Sequence, residues 1–494
     1  MGRLCAIVAL VAACGGSSAK HGGGDDGSGG DAGLPPPPPA TCTPPIAAVD
    51  TSHPTTVVGT GTADSCSGSA LAQAIAAGGI VTFDCGSAPV TITVTAAIDV
   101  TADTTIDGGG MVTLSGGGTT RILHIASAWN VATPLLTVQH LTFTGGYETD
   151  VANTTSTAHG GGAIFEDGGS LDVIDCTFTD NQCAESGQDV SGGAINGQGI
   201  GTLIIVGSTF ARDHGSNGGA VGTQDENVTV VDSTFDDNQA TGSGGNPGNG
   251  GDGGALSYDG ADIGLTLCGD SFTNNTAGAQ GGAVFRVAYG KPNDKATIDR
   301  STFDHNTSNT TSGLAGGLYL ENMEIDMTGT TISHNAAFYG GGIWIGQSAI
   351  ANLTNVTIAD NTATMGAGVW FASAVTGTFR NCTIAGNDKD GLFGGDTGVM
   401  LANTLVANNT HYECTAMHGD GMATMQYPSM GTCTGTASVM DPMLADLADN
   451  GGPTLTMMPG PQSPAIGAGQ NCPAIDQRGM PRAAACTLGA VEAP

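Results

Sequence analysis

Apolar residues in the middle of the chain come in short alternating runs, such as residues 171–174, 203–206 and 228–231, parted by Gly, Asn, Asp, Ser and Thr. Runs of about five residues with period-two alternation predict β-strands, and no window carries the spacing of a long amphipathic helix. After each run the parity slips. Val230, Ser233 and Phe235 align with Val173, Cys176 and Phe178, and with Leu353, Val356 and Ile358, so each unit must bend. The residue at the bend is Asp175, Asp232, Gly207, Gly269, Arg300, Gly329, Asn355 or Asn381, mostly types that tolerate turn conformations.

Two motifs recur in step with these runs. The first is a glycine pair followed by apolar residues: GGAI at 161–164 and 192–195, then GGAV at 218, GGAL at 253, GGAV at 281, GGLY at 316 and GGIW at 341. The second places an apolar anchor three residues before Asn, in the pairs Phe178/Asn181, Phe235/Asn238, Phe272/Asn275, Phe303/Asn306, Ile332/Asn335, Ile358/Asn361 and Ile384/Asn387. Phe143 is the first anchor, and Phe210 with Asp213 and Leu405 with Asn408 are looser copies. Steps of 21 to 37 residues between anchors mean stacked units.

Unequal steps with a constant register predict an all-β, right-handed parallel β-helix of about ten to twelve coils, in which the strands stay fixed and insertions bulge as loops. The principal insertion is residues 241–251. Like residues then stack over like. Phe143, Phe178, Phe210, Phe235, Phe272, Phe303, Ile332, Ile358, Ile384 and Leu405 are expected to form an interior ladder, and Asn181, Asn238, Asn275, Asn306, Asn335, Asn361, Asn387 and Asn408 a hydrogen-bonded ladder at a turn.

Composition fits a thin stacked core: of 494 residues 82 are Gly and only 5% are aromatic. With 45 acidic against 12 basic residues the formal charge is −33, which argues against a nucleic-acid partner and suits a soluble exported surface. Residues 4–13 form a short apolar run followed by Cys14, and VAAC at 11–14 resembles the lipobox of a bacterial lipoprotein signal. That resemblance implies cleavage after residue 13, lipid on the Cys14 sulfur, and a place at the outer membrane or cell surface; an ordinary signal peptide cut nearby is the alternative. Residues 14–45, with five consecutive prolines at 35–39, read as a tether holding a domain off the membrane. No later run reaches the roughly 18 apolar residues of a spanning helix.

Of 13 cysteines, Cys5 falls in the signal and Cys14 at the lipid site, and the remaining odd number requires a free thiol or an intermolecular bond. Proximity pairs Cys66 with Cys85, Cys414 with Cys433 and Cys472 with Cys486, and more weakly Cys176 with Cys183. No CxxC pair supports zinc.

Residues 46–95 depart from the repeat and read as an N-terminal cap with a short helix; residues 96–415 carry the coils, and residues 416–494 a capping tail. The tail contains DPMLADLADNGGPTLT, SPAIGAG, DQRGMPR and LGAVE, and resembles the C-terminal segment of surface proteins with a choice-of-anchor Q domain. That implies capping and display rather than chemistry. The paired GGAI and FxxN motifs resemble the repeats of polymorphic outer membrane proteins, adhesin-like β-helices. That implies surface adhesion.

Candidate chemistry is sparse. Arg212, Asp213 and His214 replace a regular Asn turn, while Asp236 with Asp237 and Asp103 with Asp107 fit turn caps. GNGGDGGAL at 248–256 is superficially similar to the calcium nonapeptide of β-rolls but has Ala255 where Asp is required, so no cofactor is expected and calcium is the one cation that reading admits. The expected function is a non-catalytic adhesin-like or polysaccharide-binding shaft, whose partners are a membrane through lipid and an extracellular polysaccharide or another cell surface. A polysaccharide lyase or glycoside hydrolase is the alternative, because such enzymes use paired carboxylates or a base with acidic ligands. Nothing in the chain sets an oligomeric state.

Overall fold

The structure is a computed structural model that describes residues 42–148, 157–245 and 247–493. Cys14 and most of the tether lie outside the described residues. Among the described residues the strands form sheets of 26, 11 and 4 strands, and the pairings between them are parallel. The largest sheet carries two lanes. Ser170–Ile174 and Thr177–Thr179 are successive strands of one coil, each paired with its counterpart one coil away. The parity slip lies between them: Asp175, Gly207, Asp232, Gly269, Arg300, Gly329, Asn355 and Asn381 all have φ between 46° and 73°. A left-handed residue turns the chain through the bend while the side chains on either side keep facing inward.

Inside, the anchor side chains stack. Neighbouring rings from Phe143 through Phe303 lie 4.6 to 5.0 Å apart and within 10° of parallel. Ile332, Ile358 and Ile384 continue the column in register and are fully buried. Beside it runs the amide ladder. The backbone N–H and Nδ2 of Asn238 both donate to Oδ1 of Asn275, and the pattern repeats through Asn306, Asn335, Asn361 and Asn387. Each Nδ2 also donates to a carbonyl of the preceding coil, as Asn275 does to Phe235 at 3.0 Å, so the amide is saturated.

Both ladders end one residue later than the spacing suggested. Asn387 donates to Asn409 at 3.1 and 2.9 Å, whereas Asn408 is exposed with φ 58° and occupies the turn. Likewise Val406 pairs with Ile384 and joins the interior core, while Leu405 faces outward and packs with Met425, Ala465 and Leu488. Two consecutive apolar and two consecutive Asn residues at 405–409 leave the register ambiguous in sequence, and the left-handed turn decides it.

The N-terminal end is closed by the helix Gly68–Ala77, whose first turn is capped by Ser67 Oγ accepting from Ala70 N–H. Its Leu71, Ala74 and Ile75 join the interior core. Before it, residues 42–49 form a strap along the outside of the large sheet. Cys42 and Ile46 pack on Val206 and Val231, Val49 exchanges two hydrogen bonds with Gln139, and Cys42 is joined to Cys268. The boundary drawn at residue 45 therefore falls inside one continuous strap, and Asp107 is its latch, accepting from Thr51, Gln139 and Gly109.

The C-terminal tail covers the flank of the shaft. Thr454 donates to Gly329 O, Gln477 reaches Thr331 and Thr357, Arg482 donates to Asn355, and Ala490 N–H donates to Thr383. Disulfides join Cys66 to Cys85, Cys414 to Cys433 and Cys472 to Cys486. Cys176 and Cys183 are not joined: with Cys382 they are buried free thiols, each pushed up to about 12 by burial. Among the described residues no helix is long and apolar enough to cross a membrane. The fold is a parallel β-helix.

Candidate functional site

The glycine pair admits each coil to the eleven-stranded sheet. Gly161, Gly192, Gly218, Gly253 and Gly281 have φ between 53° and 72°, and a Cβ on the following Gly219 would sit 2.2 Å from the Gly254 carbonyl oxygen of the next coil. The strand that follows alternates inward and outward, so its outward residues form one lane along the shaft.

That lane has two parts. Phe285, Tyr319, Trp344, Trp370 and Phe393 occupy successive coils with ring centroids 4.2 to 6.0 Å apart, and Tyr339 leans on Trp370 at 5.0 Å. Because adjacent rings are stacked, they cover one another's faces and present mainly their edges. Trp344, Trp370 and Phe393 remain half-buried. Toward the N-terminal end the lane turns polar at Asn196 and Ser257, with Gln198, Gln224 and Asp259 in the neighbouring lane. Gln188 and Asp189, from a loop, wall in a notch of about 40 Å³, room for about three water molecules and too small for a sugar ring. Burial, then repulsion from Asp225, pushes the Asp259 carboxyl up against the Gly260 N–H and Arg286, which favour its ionised form.

The turn beside the amide ladder holds a wider groove. Asp180, Gln182, Arg212, His214, Asp237 and Gln239 line about 330 Å³, within the size range of small-ligand sites. Here Arg212, Asp213 and His214 are not one constellation. Arg212, with φ 56°, points out and makes a two-pronged ion pair with Asp180 at 3.0 and 2.9 Å. Asp213 points in and takes an Asn position in the amide ladder, accepting from Asn181 N–H at 2.6 Å, fully buried. His214 lies in the small four-stranded sheet opposite Gln239. Arg212 holds Asp180 below the ordinary carboxylate range, so this pair is a settled ion pair rather than a base awaiting a proton.

The other carboxylates named in the sequence are turn caps or latches. Asp236 accepts from Thr273 and Asn274, and Asp103 from Leu135 N–H. In the 241–251 insertion Ser243 bridges Asn249 and Gly245 bridges Gly250 in antiparallel fashion, and Asn249 O accepts from Ser216.

Spacing gave no sign of the acidic pair inside the shaft. Glu166 and Glu226 are fully buried on coils two apart and face each other across Gly197, where a Cβ would lie 2.2 Å from Glu226 Oε2 and 3.3 Å from Glu166 Oε2. Desolvation, followed by mutual repulsion, pushes Glu166 well above the ordinary carboxylate range, and desolvation raises Glu226. Two coils on, buried Arg286 stacks over Tyr258 at 4.3 Å and donates to Asp294 and to the Gly260 and Val287 carbonyls. Parity on the eleven-stranded sheet, which puts Glu166 beneath the inward Ile125 position, was the available signal.

Residues 286–430 match the family model described as the right-handed beta helix region, and the chain is a right-handed parallel β-helix. Solved structures similar in fold include the surface adhesin PfbA of Streptococcus pneumoniae, at 9% identity over 76% of this chain and 92% of that one, with a TM-score of 0.37. The periplasmic alginate epimerase AlgG aligns at 8% identity over 71% of this chain and 78% of that one, TM-score 0.36. The A-module of a mannuronan C-5 epimerase of Azotobacter vinelandii aligns at 15% over 78% and 97%, TM-score 0.31. No curated protein sequence matches the chain.

Proposed function

We propose that this chain is an exported, surface-displayed β-helix that binds an extended polysaccharide without turning it over. The observation that carries the reading is the outward lane of the eleven-stranded sheet, where half-buried Trp344, Trp370 and Phe393 stack on consecutive coils and the buried rings of Tyr319 and Phe285 carry the row on to a polar notch. An extended sugar chain is itself a repeating ligand of hydroxyls and apolar ring faces, and stacked coils repeat at about 4.8 Å. Display follows from the resemblance of residues 441–492 to choice-of-anchor Q tails and of residues 160–410 to polymorphic outer membrane protein repeats, with lipid on Cys14 as the anchor.

A glycan array probed with residues 42–494, alongside reducing-sugar and unsaturated-uronide assays, tests the reading. Binding to a polysaccharide that Trp344→Ala with Trp370→Ala weakens, without turnover, is expected; measured turnover would sink the non-catalytic claim. Retention of Cys14→Ala protein in the host membrane fraction would refute the lipid anchor. The second reading, a carbohydrate-active enzyme, is favoured by one observation, the 330 Å³ groove in which Arg212 meets Asp180 beside His214 and Asp237. Turnover abolished by Arg212→Ala would establish it.

A further inference from the structure

At the corner where each coil passes from the large sheet into the amide ladder, the residue before the ladder Asn is left-handed. In two adjacent coils it is histidine: His305 with φ 56° and His334 with φ 51°. Their strands Thr302–Asp304 and Thr331–Ser333 pair in register, so the backbone sets the two imidazoles one above the other, with ring centroids 4.6 Å apart and 19° from parallel. Asp304 sits beneath both. Its Oδ2 is 2.6 Å from Nδ1 of His305, and its Oδ1 is 2.8 Å from Nδ1 of His334.

This arrangement is held in place from outside. Ser333 Oγ donates to Asp304 Oδ1 at 2.6 Å, fixing the carboxylate, and Asp360 Oδ2 of the following coil lies 3.9 Å from His334 Nε2. The three donor atoms lie within 4.8 Å of one another and open to solvent, with 58% of the His305 side chain and 38% of the His334 side chain exposed.

We propose that Asp304, His305 and His334 bind one divalent transition-metal ion of the zinc type, clipping two coils together at the corner of the shaft. Two imidazole nitrogens and one carboxylate suit Zn²⁺, Co²⁺ or Ni²⁺, whereas Ca²⁺ requires six to eight oxygens that this corner does not gather. The ion takes the place of an Nδ1 proton between Asp304 and each ring; in a neutral imidazole that proton moves to Nε2 as the ring changes tautomer, and only an imidazolium gives one up to solvent. Ser333 is a positioning residue, the hydrogen-bonded outer partner that a ligating carboxylate needs. Three protein ligands leave a coordination position open to water or to an anionic group.

The test is calorimetric titration of the protein with Zn²⁺ and, separately, Ca²⁺, with Co²⁺ absorption reporting coordination. Asn replaces each histidine, because Asn accepts a left-handed backbone and Asn274 already holds the same place one coil earlier. Saturable one-to-one Zn²⁺ binding, a visible Co²⁺ spectrum of nitrogen ligation, loss of both in His305→Asn and in His334→Asn, and a roughly 10-fold weakening in Ser333→Ala are expected. No saturable Zn²⁺ binding, or binding that both Asn variants retain, would overturn the site; so would Ca²⁺ competing equally, which would mark diffuse attraction to an acidic surface.

Discussion

Asn275 gives both its backbone N–H and its Nδ2 to one acceptor, Oδ1 of Asn306, at 3.0 and 2.9 Å. Truncating Asn306 to Ala strands two buried donors on the coil before it, and each costs about 1 to 3 kcal/mol. Denaturant unfolding should show Asn306→Ala destabilised by several times as much as a solvent-facing Asn→Ala at an ordinary backbone position such as Asn293→Ala. Equal losses would contradict the saturated ladder.

Asp213 breaks that ladder chemically. An Asn amide there would accept from Asn181 and donate onward, whereas Oδ2 of Asp213 has no hydrogen-bond partner among the described residues, and burial pushes the carboxyl well above its ordinary value. A raised folded-state pKa means the folded protein holds its proton longer than the unfolded chain. The contribution is intact below the unfolded carboxylate range and is lost as pH rises through the folded value. Asp213→Asn should therefore raise the melting temperature, and by more at pH 8 than at pH 4.

Glu166 and Glu226 follow the same sign. Both are raised, Glu226 to about 8, so stability should decline as pH climbs from the ordinary carboxylate range toward that value. In a pH series of melting curves Glu226→Gln should flatten this slope. If the slope stays as steep, some other group carries it.

The strap gives a local prediction. In Cys42→Ser the 42–49 segment loses its covalent tie and keeps its packing on Val206 and Val231 and the hydrogen bonds between Val49 and Gln139. Hydrogen exchange should rise in residues 42–49 and stay unchanged in the ladder strands around Phe235. Uniform protection would mean the disulfide adds nothing to docking.

What could be read from the chain followed from periodicity. A motif that recurs once per coil fixes which residue stacks on which, so Phe235 over Phe210 was visible in the sequence, as was a bend at Asp232, which the backbone makes with a left-handed residue. Positions where the motif doubles, at Leu405 with Val406 and Asn408 with Asn409, carry no such constraint. The pairing of Cys42 with Cys268 spans 226 residues and depends on where a strap lies, which no period encodes. Strand parity offered the aromatic lane, since Phe285, Tyr319, Trp344 and Trp370 each follow a glycine-rich turn at one strand position; the metal-ligand candidates needed one more step, the αL residue ahead of each ladder Asn.

The staple between Cys42 and Cys268 also decides how this shaft would bear a load. Tension applied to the N-terminal end does not peel the structure from its first coil, because the pull passes through sulfur straight to a strand in the middle of the stack. The chain from 42 to 268 becomes a closed loop that cannot lengthen. Force then enters the stack at a strand paired on both sides, with residues 228–231 and residues 295–299, instead of at an open end.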